Sequence, residues 1–196
     1  MSLLFSMFSY SLAMSISPGP VNMIILSSGI NHGIKLTIPY VSGATLGFTL
    51  LLLFVGIIFE KFITEFPFFL TYLAVSGSLY IIYIGYKIAS SQPEMAVKNR
   101  MAPRFWEGFF LQWLNPKAWI ACVSGASLFS HTESYTTFLT FATLYSIVCY
   151  VSLLFWAILG NKVSFLLSSR LRLRLFNISM GLLLIATALY LIIEKI

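Results

Sequence analysis

The first charged side chain in this sequence is Lys35, and the later charges enclose empty runs at 36–59, 66–86, 134–161 and 175–193, with 108–132 interrupted only by Lys117. A hydrocarbon core of ~30 Å takes about 20 helical residues to cross, so the pattern reads as six spans. Backbone groups in lipid must be satisfied within their own segment, and the ~10-residue alternation of barrel strands is missing. The expected fold class is all-α, a polytopic membrane protein with six transmembrane helices in one domain, 1–196. With 59% hydrophobic and 9% charged residues the chain is no water-soluble globule, and 18 Phe with 10 Tyr exclude disorder. A net charge of +6 on so little charged surface does not make a nucleic-acid reader. The start Met1-Ser2-Leu3-Leu4-Phe5 has no basic n-region and no small-x-small cleavage site, so the first helix is expected to stay.

The basic residues set an expected orientation. If six helices cross in turn, the connections at 29–35, 87–107 and 161–174 share one side. That side holds Lys35, Lys87, Lys98, Arg100, Arg104, Lys162, Arg170, Arg172 and Arg174, against Lys61 and Lys195 on the other. The richer side is cytoplasmic by the positive-inside rule, which puts both termini outside. The polar stretch 91–103 divides the chain into 1–90 and 104–196, three spans each. Because three is odd, the halves, if they are structural repeats, must be inverted, an arrangement typical of secondary transporters.

The first and fourth helices, one in each half, are expected to be broken near the middle. Ser17-Pro18-Gly19-Pro20 removes two backbone donors and forces the chain out of helical geometry, leaving the carbonyls of Met14 and Ile16 without partners. Pro20 suits the first position of a new half-helix, with free N–H groups at Val21, Asn22 and Met23. In Asn115-Pro116-Lys117, Asn115 suits an N-cap and Pro116 the first helical position, and the Gln112 carbonyl is left free. Unpaired backbone at membrane depth survives only in protein or against a wet cavity. Two helix N-termini and the Lys117 ammonium would then meet at the midplane and attract an anion such as a carboxylate. A lysine at that depth reads as functional by default; the plainer alternative is that it satisfies a carbonyl of the other half or snorkels to water.

The chain has no Asp, and its six Glu lie at or beyond span ends. A substrate ammonium would rest on the carbonyls of Met14, Ile16 and Gln112 and on Asn22 and Asn115. Such a site suits a small zwitterion and not a metal ion, which wants carboxylates or thiolate clusters; no cofactor is expected. Cys122 and Cys149 read as buried apolar thiols. Ser76, Tyr80, Tyr83 and Lys87 form a polar stripe at helical spacing that could line a path, and Gly43-x-x-x-Gly47 reads as a close helix-packing face.

Ser17-Pro18-Gly19-Pro20 with Asn22, Gly33, Gly43, Gly77, Tyr80, Gly85 and Asn115-Pro116-Lys117-Ala118 together resemble the LysE/RhtB family of amino-acid exporters over nearly the whole chain. Ser27-Ser28, His32-Gly33, Leu46-Gly47-Phe48, Phe105-Trp106 and Leu111-Gln112 are similar to the branch that exports cysteine and O-acetylserine. The resemblance implies six hydrophobic segments, a bacterial cytoplasmic-membrane location, efflux of amino acids or their derivatives, no enzymatic activity and a homodimer. Many relatives carry an acidic residue in the second or fifth span, where this chain offers Phe48 and Cys149; Lys117 is then a substitute proton carrier, or efflux is uncoupled. The expectation is a secondary exporter of small neutral amino acids, with Ser17, Pro18, Gly19, Pro20, Asn22, Gln112, Asn115, Pro116 and Lys117 at the substrate. The runner-up is a capture subunit of a vitamin or small-molecule uptake system.

Overall fold

The computed structural model describes residues 3–59, 68–90, 102–129, 135–163 and 169–195, and every regular element among them is a helix. Helix α1 is Leu3–Ile16; α2 is Pro20–Phe54, running on into a π-helical turn Val55–Phe59. Then come α3 (Phe68–Ala89), α4 (Phe105–Leu114), α5 (Pro116–Phe129), α6 (Tyr135–Val163) and α7 (Arg170–Lys195). Lys61, Lys98, Arg100, His131 and linker residues 91–101 lie outside the described residues.

Both expected helix breaks are present, and each has the cause read from the sequence. Helix α1 stops at Ile16, Gly19 is extended, and α2 restarts with Pro20 in its first turn. Helix α4 stops at Leu114, Asn115 is extended, and α5 begins at Pro116. Asn115 acts as the cap: its Oδ1 accepts from Lys117 N at 3.2 Å and its carbonyl from Ala118 N at 2.9 Å. With 14 and 10 residues, α1 and α4 are too short to cross a bilayer alone. At the start of α4, Glu107 Oε2 accepts from Arg104 N at 2.9 Å, satisfying an orphan donor.

The connection expected over 29–35 is a single residue. Helical geometry persists to His32, and Gly33 alone turns the chain, at φ 78 and ψ 173, a region open essentially to glycine. Ser28 Oγ and Thr37 Oγ1 stand 2.8 Å apart, whereas nine residues of straight helix would separate them by ~13.5 Å. Thus α2 is two arms folded back on each other.

Contacts along α6 give the directions. Tyr10 meets Phe141 and Tyr145, Ile16 meets Trp156, and Gly160 abuts Leu26, so α1 and the first arm of α2 run parallel to α6. The second arm runs against it, with Thr49 Oγ1 at 2.7 Å from Ser146 Oγ and Gly56 against the Phe138 ring. The same arm runs parallel to α4. A Cβ at Gly43 would strike Phe105 O, one at Gly47 Phe109 O, and one at Gly108 Tyr40 O, so these glycines let two backbones touch. Helices α3 and α7 pair antiparallel, Gly85 and Gly181 each abutting the other's carbonyl, with Ile81, Leu184 and Ala188 buried near them.

Candidate functional site

The two breaks meet through Lys117. From the first turn of α5, its Nζ donates to Ser17 O at 2.6 Å and Ser17 Oγ at 2.8 Å, with Pro18 O farther away at 3.4 Å. Ser17 Oγ in turn donates to Met14 O at 3.1 Å. The ammonium therefore sits on oxygens at the C-terminal end of α1, where the helix dipole favours a cation. The geometry includes the plainer alternative from the sequence, since Lys117 does satisfy carbonyls of the opposite half. Among the described residues no carboxylate accompanies it, and the chain has no Asp to offer.

Gly19 owes its place to this contact. Its φ of −164 is open to any residue, but a Cβ there would lie 3.0 Å from Lys117 Cδ and 3.1 Å from Nζ. A side chain at 19 would press on the Lys117 stem and ammonium, which would have to give by a few tenths of an ångström. The N-terminus of α2 beside it carries no side-chain cap, and no partner is found for the Val21 and Asn22 N–H groups among the described residues; Met23 N, expected to be free as well, instead bonds Gly19 O at 2.9 Å as the helix begins.

The carbonyls expected to be free are not. Met14 O accepts from Ser17 Oγ, Ile16 O from the Trp156 indole at 3.2 Å, and Gln112 O from Asn115 N at 3.3 Å. Helix-end carbonyls find local donors because leaving them bare is costly. Trp119 Nε1 caps Trp113 O at 2.8 Å in the same manner, so an indole closes each short helix. The acceptors left at the centre are side chains. Asn22 commits its amide nitrogen to Ser15 O at 2.9 Å, and Gln112 Oε1 holds Asn115 Nδ2 only loosely at 3.5 Å.

A cavity of about 40 Å³ opens at this meeting point, room for roughly two or three waters. Of the residues expected at the substrate, Asn22, Gln112, Asn115 and Lys117 line it. Ser17 and Pro18 reach it through the Lys117 ammonium, Gly19 makes space for that ammonium, and Pro20 and Pro116 set the helix starts. The rest of the wall includes Ser15, Phe48, Tyr145, Cys149 and Leu153. The Ser15 hydroxyl is buried in this wall and has no hydrogen-bond partner among the described residues.

The stripe Ser76, Tyr80, Tyr83 and Lys87 lines no part of the cavity and is exposed. At ~100° per residue it occupies the face of α3 opposite Ser78, Ile81 and Gly85, which are buried and, at Ile81 and Gly85, turned to α7.

A bundle of apolar helices, two of them broken at a cavity that holds a cation with no carboxylate beside it among the described residues, has the build of a membrane transport protein. The chain belongs to the LysE-type translocator family, whose profile matches residues 12–195. It is a translocator and not an enzyme. It is 29% identical over 163 residues to the cysteine/O-acetylserine efflux proteins of Escherichia coli (strain K12) and Shigella sonnei (strain Ss046), which covers 82% of this chain and 83% of each relative. No solved structure matches the chain.

Proposed function

We propose that this protein is a secondary exporter of small neutral amino acids or their derivatives across the bacterial cytoplasmic membrane, with cysteine and O-acetylserine the first candidates. One observation carries the reading: a half-buried ammonium bound to neutral oxygens, with no carboxylate beside it among the described residues. Its third N–H has only the 3.4 Å contact with Pro18 O, too long for a good hydrogen bond, so it can turn to a substrate carboxylate. The orphaned N–H groups of Val21 and Asn22 support the same anion. The amide oxygens of Asn22 and Gln112 suit the substrate ammonium. At about 40 Å³ the cavity must widen to load an amino acid.

The reading includes alternating access by rocking of two inverted halves, each with a broken first helix. Internal pairing supports it. Thr49 bonds Ser146, 97 positions on; Phe48 packs on Tyr145 at the same separation, with ring centroids 4.5 Å apart. Ile16 O and Trp113 O, again so separated, are the two carbonyls capped by indoles. Gly85 and Gly181, one position closer, touch reciprocally. Self-reciprocal contacts of this kind arise on a two-fold axis. The helix directions also fit strict in-and-out alternation of six spans.

Purified protein in liposomes loaded with labelled cysteine, O-acetylserine, threonine and leucine should release at least one of them faster than protein-free vesicles. Release at the control rate for all four would end the proposal.

A further inference from the structure

The cavity wall carries two kinds of chemistry, and only the polar one has been given a role. Beside Lys117 and the amides, α6 contributes Tyr145, Cys149 and Leu153 at i, i+4 and i+8, one stripe of a helix. Phe48, from the second arm of α2, completes this side. All four side chains are buried. The rings of Phe48 and Tyr145 meet at 52°, and Tyr145 is backed by Phe141 at 5.5 Å and Tyr10 at 6.1 Å. Tyr10 is itself pinned to α5, its hydroxyl donating to Ala121 O at 2.9 Å and lying 2.6 Å from Ser124 Oγ. A wall packed this densely from behind does not yield to a bulky group.

Resting on the export reading above, which places the substrate carboxylate at Lys117, we propose that Phe48 with Tyr145, Cys149 and Leu153 forms the side-chain subsite of the transported amino acid. This wall selects short uncharged side chains. With Lys117 engaged by the backbone carboxylate, a second carboxylate or an ammonium carried on the side chain would lie against Phe48 and Leu153 without a counter-charge of its own, and a buried charge left unpaired is strongly disfavoured. A long apolar side chain is rejected by the Phe48 ring. The small polar tip of a serine, cysteine or acetylserine side chain finds the Ser15 hydroxyl and the Cys149 thiol beside it.

The test is the efflux profile of reconstituted protein over serine, cysteine, O-acetylserine, leucine, lysine and glutamate. Wild type should move the first three, leucine weakly, and lysine and glutamate not at all. In Phe48→Ala the leucine-to-cysteine rate ratio should rise at least tenfold; Phe48→Leu, a milder change, should raise it in the same direction. Cys149→Phe, which fills the subsite, should depress O-acetylserine before serine. If the variants move cysteine but every ratio stays at the wild-type value, the subsite assignment is overturned while export stands. If wild type moves none of the six, export falls and this assignment falls with it.

Discussion

Lys117 joins the two breaks, and its removal separates structure from transport. Replacing it by Ala deletes two short hydrogen bonds to Ser17 and the one charge among the described residues that line the cavity. A charge-assisted hydrogen bond contributes about 1.5–3 kcal/mol, so substrate affinity in Lys117→Ala should fall by roughly 10- to 100-fold. Ser17→Ala keeps the ammonium and its bond to Ser17 O, and should cost no more than about tenfold, in line with ~0.5–1.5 kcal/mol for a neutral partner. Equal losses in the two variants, measured as half-saturating substrate in counterflow, would show that the charge is not what the substrate meets. At this scale the sequence is informative where the chemistry is unusual. A lysine within an apolar run and two proline clusters stand out by type. Phe48, Tyr145 and Leu153 do not, because an apolar residue facing a cavity is of the same kind as one facing lipid or a neighbouring helix.

At the scale of elements, local stereochemistry fixes the breaks and the hairpin. The extended Gly19 and Asn115 and the prolines that follow end one half-helix and start the next with no tertiary help. Gly33 is different: the charge pattern predicts a connection over 29–35, and one residue with positive φ makes the reversal. Alanine there would hold a conformation costing on the order of 1–3 kcal/mol. Gly33→Ala should therefore lower the thermal midpoint of the detergent-solubilised protein by several degrees, while Lys35→Ala, at an exposed helical position two residues on, should leave it almost unchanged. Matching midpoints for the two variants would contradict the hairpin. The capping of Ile16 O by Trp156, 140 positions away, lies beyond any local pattern, which is why the sequence reads that carbonyl as free.

For the molecule as a whole, the six-span reading puts both termini on the outer face, with Lys35, Lys87, Lys162 and Arg170 to Arg174 inside. A tag fused after Ile196 should be cleaved by protease added to spheroplasts and protected in inside-out vesicles. The reverse pattern would invert the orientation. The halves share no obvious residue pattern, and the support for the proposed inverted repeat is in contacts such as Thr49–Ser146 and Phe48–Tyr145, each 97 positions apart. A repeat of that kind needs only similar breaks and similar close-packing positions, not similar side chains.

Spacing of charges, position of prolines and scarcity of carboxylates determined by themselves that this chain is helical, lies in a membrane and is interrupted twice, because each is a local demand of lipid or backbone sterics. Tertiary structure alone decided which oxygens hold Lys117, which carbonyls the indoles satisfy and which apolar side chains become a cavity wall. Those choices depend on segments about a hundred residues apart being brought within a few ångströms, and no local property of the sequence encodes that distance.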